Sequence, residues 1–165
     1  MIQTRKGIFE TNSSSTHCLV VRAHEDYDNT HKIRLDAKGY INVNGWNQIN
    51  NTVAYGFYEK LAYMLSWMYL RDYGYYPESE EDKFAYPSDD FDSTNEDDYK
   101  TILKVIKNHY PEVNGFQVNK VSDIEFDHQT APDGYYCGFI IDIWNLEQLE
   151  GYLFNDDAVV VVGHD

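Results

Sequence analysis

The chain has 165 residues, with 13 Lys and Arg against 28 Asp and Glu, for a formal charge of −15. That balance excludes a generic nucleic-acid binder, which needs a basic surface to displace the counterions of the phosphates. The length suits one domain, residues 1–165, and 42 % hydrophobic residues can supply a core, so wholesale disorder is excluded as well.

In chain order, the β-branched, apolar run from Cys18 to Arg22 reads as a strand, and Lys32 to Val43 alternates around Ala37, Lys38 and Gly39 as a hairpin. From Val53 to Leu70, apolar residues recur at spacings of three and four (Val53, Phe57, Leu61, Met64, Leu65, Met68), which predicts a long, mostly buried helix with Trp67 in the core. Gly74 and Pro77 end it. The next stretch, with Pro77, Pro87 and interspersed Tyr and Phe, reads as an ordered loop anchored by its aromatic side chains. Ser93 followed by Glu96 has the form of a capping box, opening a helix that carries Tyr99, Ile102, Leu103 and Ile106 and stops at Pro111. Phe116 to Val121, Ile124 to Phe126 and Tyr136 to Ile143 read as strands. Asn145 with Gln148 suggests a cap for a short helix to about Phe154, and Ala158 to Val162 reads as a buried strand without alternation. The connection from Ile143 to Ala158 is long enough for a parallel crossover. The fold class expected is α+β: a single domain whose mixed β-sheet packs against two longer helices and one short C-terminal helix, with an acidic, aromatic-rich insertion at about 72–98.

The charge is unevenly placed. Between Asp72 and Asp98 stand eleven acids and one base, Lys83, whereas Met1 to Arg22 holds three bases against Glu10. Glu96, Asp97 and Asp98 fall in the first turn of a predicted helix, where the positive end of the helix dipole favours them. The remaining acids form a solvated, self-repelling loop, a cation site or a mimic of nucleic acid. The spacing lacks the alternation of an EF-hand loop, so no metal is expected there. For mimicry the candidate contact residues are Tyr76, Glu80, Glu81, Asp82, Tyr86, Asp89, Asp90, Asp92, Glu96, Asp97 and Asp98.

Two polar clusters are a separate matter. Glu10, Thr11, Asn12, Ser13, Ser14, Ser15, Thr16 and His17 precede the first strand and could line a phosphate or carboxylate pocket, though a solvated loop would carry the same residues. Asp127, His128 and Gln129 follow a predicted strand, and a His beside a carboxylate can act as a general acid or base. If the clusters meet, they form a small pocket for a nucleotide or for catalysis. His17, His128 and Asp127 match no metal-ligand signature, and neither a metal nor a cofactor is expected. Cys18 and Cys137 are too few for a disulfide framework and read as reduced, buried thiols.

The run Arg5-Lys6-Gly7-Ile8-Phe9-Glu10-Thr11-Asn12-Ser13-Ser14-Ser15-Thr16-His17, the late Asp127-His128-Gln129, the segment Leu146 to Phe154 and the closing Val159 to Val162 resemble small accessory proteins of tailed phages and prophages of Gram-positive bacteria. The resemblance covers about the first 22 residues and the last 40. It implies an early host-takeover or anti-defence protein, anti-CRISPR-like in kind, and no catalytic assignment. It favours one joint pocket over two separate loops. With no apolar stretch of roughly 18 residues and no signal-peptide core, no membrane contact is expected and the place of action is the host bacterial cytoplasm. Two functions are therefore expected in competition. In the first, a non-enzymatic inhibitor binds a host protein with a basic nucleic-acid-binding groove, without contacting nucleic acid directly. In the second, a small enzyme or nucleotide-ligand-binding protein uses the Ser, His and Asp pocket.

Overall fold

A computed structural model of the chain describes residues 3–4, 17–21, 33–48, 53–74, 82–126 and 139–162, with the backbone alone for 3–4, 17–21 and 162. The elements run β1 (Gln3–Thr4), β2 (His17–Val21), β3 (Tyr40–Asn44), β4 (Val53–Ala54), α1 (Phe57–Tyr73), β5 (Lys83–Tyr86), α2 (Glu96–His109), β6 (Gly115–Asn119), α3 (Leu146–Phe154) and β7 (Ala158–Val162). They form an α+β fold with two longer helices and a shorter C-terminal one.

The strands divide between two sheets. The first, in the order β1-β2-β7-β4, is antiparallel throughout. The second, in the order β3-β6-β5, is mixed: β3 and β6 are parallel, with Tyr40 opposite Gly115 and Asn44 opposite Asn119, and β5 is antiparallel to β6. The parallel crossover is therefore made between β3 and β6, through β4, α1, β5 and α2. The one expected between Ile143 and Ala158 is absent, because β7 joins antiparallel partners. Nor is β7 buried on both sides: Ala158 and Val160 face the core, while Val159 and Val161 are half-exposed. A run of valines hides this, since every position is apolar whichever way it faces.

The hairpin around Gly39 forms in shortened form, with Leu35 bridged to Ile41. The Asp36 carboxylate accepts the N–H groups of Lys38 (2.8 Å) and Tyr40 (2.9 Å), and Gly39 takes the left-handed φ of 78° that closes the turn. Helix α1 starts later than the apolar spacing suggests, because Val53 and Ala54 pair with β7 instead. The Glu59 carboxylate accepts the N–H of Tyr55 at 2.8 Å and of Gly56 at 3.4 Å, satisfying donors at the helix start. Gly74, at φ 74°, ends the helix with its N–H on the Leu70 carbonyl at 2.9 Å. Of the other strands expected, Ile124 to Phe126 is reduced to a single bridge between Asn47 and Glu125, and the described part of Tyr136 to Ile143 is a bend at 140–141 leading into a turn at 143–144.

One hydrophobic cluster joins both sheets and all three helices, with α1 buried on almost every side. Trp46 and Trp67 lie in it at 4 % and 6 % exposure. At its α1–α3 end Phe57 stacks on Phe154 with ring centroids 5.3 Å apart. There, too, Lys60 is fully buried, its Nζ donating to the Asn155 carbonyl at 2.8 Å, while the Tyr152 hydroxyl donates to the Lys60 carbonyl at 2.8 Å. Burial pulls the Lys60 amine down to about 8, against the opposing pull of the Asp156 charge. In the unfolded chain it titrates near 10.5, so between these values the unfolded state binds more protons and stability rises with pH. Urea denaturation from pH 8 to just below the range of tyrosine ionisation is expected to show this rise, at most about 1.4 kcal/mol per pH unit. Lys60→Met should flatten it; equal slopes in both proteins would show that the amine is not held near neutrality.

Candidate interaction surface

The acidic segment is built around a carboxylate turned away from solvent. Asp72, in the last turn of α1, has a side chain only 2 % exposed. Its Oδ1 accepts Arg71 Nε (2.7 Å) and Asn95 Nδ2 (2.7 Å); its Oδ2 accepts the hydroxyls of Ser93 (2.8 Å) and Tyr99 (2.7 Å) and Arg71 Nη2 (3.2 Å). The Arg71 Nη1 donates to Asp98 at 2.6 Å. Burial alone would raise the Asp72 carboxyl, but the bonds from Arg71, Tyr99 and Ser93 outweigh it and hold the group below the ordinary carboxylate range. Tyr99, buried and facing this negative charge, is pushed well above the usual tyrosine value.

This junction accounts for the start of α2. Ser93 is turned toward Asp72 and accepts the Asn95 N–H at 3.0 Å, so the N-cap position falls at Asn95, whose side chain makes no capping bond, and the Ser93–Glu96 capping box does not form. Around it lies an aromatic cluster. Phe91 sits between Tyr86 (4.7 Å) and Tyr99 (5.0 Å), with Phe84 at 5.7 Å, and the Asp92 backbone hydrogen bonds to the Tyr73 hydroxyl. Within the expected loop Lys83–Tyr86 is thus a strand, β5, and Phe91, Ser93 and Asn95 are pinned to the start of α2.

What this frame presents is a set of exposed carboxylates. Asp89, Asp90 and Asp92 flank Phe91, and Glu96 and Asp97 occupy the first turn of the helix, all solvent-facing. Lys100 is the base beside them, at 3.2 Å from Glu96 and 3.3 Å from Asp97, in exposed pairs that neutralise little. Asp82 is exposed as well, with its Oδ1 taken by the Ser122 N–H at 2.7 Å, which keeps its carboxyl low.

Two residues expected on this face belong elsewhere. Tyr86 is 5 % exposed, inside the aromatic cluster, and Asp98 is 9 % exposed and paired with Arg71. Tyr76, Glu80 and Glu81 lie outside the described residues, as do Glu10, Thr11, Asn12, Ser13, Ser14, Ser15, Asp127, His128, Gln129 and Cys137. His17 opens β2 with its backbone opposite Val162, and Cys18 stands opposite Val161. Among the described residues, no group of three or more His, Cys, Asp or Glu side chains is placed to hold a metal ion, and no helix is long and apolar enough to cross a membrane.

The polar residues that sequence reasoning missed are Arg71 and Asp72 as a structural pair. Their signal was present: two adjacent charges in the last turn of a helix that carries none from Leu61 to Leu70. No protein-family model, no curated protein and no solved structure matches the chain.

Removing the Asp72 carboxylate leaves a partly buried guanidinium, a buried phenol and two further donors without their acceptor. Asp72→Ala is expected to cost about 3 kcal/mol or more in urea denaturation. Asp72→Asn, which keeps an acceptor for some of these donors, should cost less. A loss under about 1 kcal/mol for Asp72→Ala, the range of an exposed ion pair, would contradict this account.

Proposed function

We propose that the chain is a non-enzymatic binding protein of a phage, acting in the bacterial cytoplasm, that inhibits a host defence or nucleic-acid-processing protein by occupying its basic groove. The observation that carries this reading is the fixed set of exposed carboxylates at Asp89, Asp90, Asp92, Glu96 and Asp97. Nucleic-acid mimicry needs negative charges that keep their positions, since a flexible acidic tail loses conformational entropy on binding. Here the charges stand on a loop pinned by Phe91 and on the first turn of a helix, so much of that ordering precedes binding. The formal charge of −15 adds long-range attraction toward a basic partner and raises the encounter rate. The N-terminal resemblance supplies the biological setting of the proposal.

The test is capture from a Gram-positive host lysate by the wild-type chain and by a variant with Asp89→Asn, Asp90→Asn, Asp92→Asn, Glu96→Gln and Asp97→Asn. The wild type is expected to retain a nucleic-acid-binding protein that high salt or excess duplex DNA releases, and the variant to retain at least about tenfold less. His17→Ala with His128→Ala should leave capture intact. Equal capture by the neutralised variant, or loss of capture in the double histidine variant with its fold preserved, would overturn the proposal and favour a ligand pocket.

A further inference from the structure

A second surface, on the C-terminal part of the chain, has the chemistry of a contact site. After Lys120 the sequence contains no Lys or Arg, yet it holds ten Asp and Glu. Inside this base-free stretch, Trp144 is 60 % exposed and Leu146 is 42 % exposed, two of the three large apolar side chains left open among the described residues. Single exposed apolar residues are ordinary on protein surfaces. A tryptophan and a leucine two positions apart, on a turn that holds its shape, are a more specific arrangement.

The turn is fixed by local bonds. The Trp144 N–H donates to Asp142 Oδ1 at 3.0 Å and the Asn145 N–H to the Asp142 carbonyl at 3.0 Å. The Asn145 side chain in turn caps α3 by accepting the Gln148 N–H at 3.2 Å. Ile143, between these residues, is buried and ties the turn to the core. The indole is therefore presented from an ordered backbone, which lowers the entropy lost when a partner covers it. Its chain neighbours are acidic: Asp142 and Glu147, both exposed, stand two and three positions away, and Glu150, one turn further along α3, is bonded to His109 at 2.7 Å.

We infer that Trp144 and Leu146 form a docking site for an Arg- or Lys-bearing apolar segment of a partner protein. The cation lies over the indole face and its alkyl stem, with a neighbouring apolar side chain, covers Leu146. An indole face attracts cations through its quadrupole, and the carboxylates of Asp142 and Glu147 add to that field while repelling an acidic partner or an anionic lipid. Tryptophan is also among the residues enriched at the energetic centres of protein interfaces. The sign of the partner's charge rests on the function proposed above, whereas the surface uses none of the carboxylates at Asp89 to Asp97.

The experiment follows the indole N–H resonances of the full-length chain during titration with a short peptide of alternating Leu and Arg, and with the same peptide carrying Glu in place of Arg. Trp46 and Trp67, both buried, serve as internal references. The Arg peptide is expected to shift Trp144 saturably and to leave the other two in place, and the Glu peptide to shift none. Trp144→Ala should weaken binding of the Arg peptide by about tenfold. The variant neutralised at Asp89, Asp90, Asp92, Glu96 and Asp97 should still show the Trp144 shift, which separates failure of this site from failure of the first surface. An unmoved Trp144 resonance, unchanged affinity in Trp144→Ala, or loss of the shift in the neutralised variant would overturn the proposal. So would a Trp144 shift produced by phosphatidylglycerol vesicles and not by the Arg peptide.

Discussion

The fixed point of the acidic half of this molecule is the Asp72 carboxylate. A buried charge is costly unless it is paired and its remaining lone pairs are filled. Here the donors that fill them come from three parts of the local chain: Arg71 from the same helix, Ser93 and Asn95 from the loop before α2, and Tyr99 from α2 itself. Satisfying one carboxylate therefore fixes the end of α1, the approach to α2 and the orientation of its first turn. Asp98, on the other side of the same guanidinium, completes the junction. The aromatic cluster of Phe84, Tyr86, Phe91 and Tyr99 packs against this polar centre and gives the segment its apolar support.

It follows that the acids between Asp72 and Asp98 are two populations with opposite roles. Asp72 and Asp98 are directed inward and hold the segment in place. Asp89, Asp90, Asp92, Glu96 and Asp97 are directed outward, and their mutual repulsion is borne by the frame that the inward pair helps to build. Glu96 and Asp97 are further favoured by the start of α2, whose dipole is complemented by Lys107 and His109 at the other end. Trp144 and Leu146 extend the same theme to the C-terminal part of the chain, where an ordered turn carries apolar side chains among carboxylates.

Much of this fold is legible in the sequence where periodicity is strong. The apolar stripe of α1, the stripe of α2, the Asn145 cap and the strand at Cys18 follow from residue spacing and cap chemistry alone. What was not legible depends on contacts distant in sequence. Ser93 looks like a helix cap until the carboxylate of Asp72, 21 residues earlier, claims its hydroxyl. Val53 and Ala54 continue a helical pattern until β7 takes them as a strand, and the valines of β7 give no sign of which side faces out. On the surface, counting acids located the charged segment but could not separate Asp98 from Asp97, because adjacent residues on a helix face different ways. Tyr86 was misplaced for the same reason: on a strand, burial alternates, and its neighbour Ala85 is the partly exposed one.

The most direct test of the central claim is amide hydrogen exchange of Asp72→Asn beside the wild-type chain. If the Asp72 junction holds the acidic face, exchange at Phe91, Asn95, Glu96 and Asp98 should accelerate while the amides pairing β3 with β6 keep their protection. Unchanged exchange at those four positions would contradict the account, as would an equal loss of protection across the β3–β6 pair.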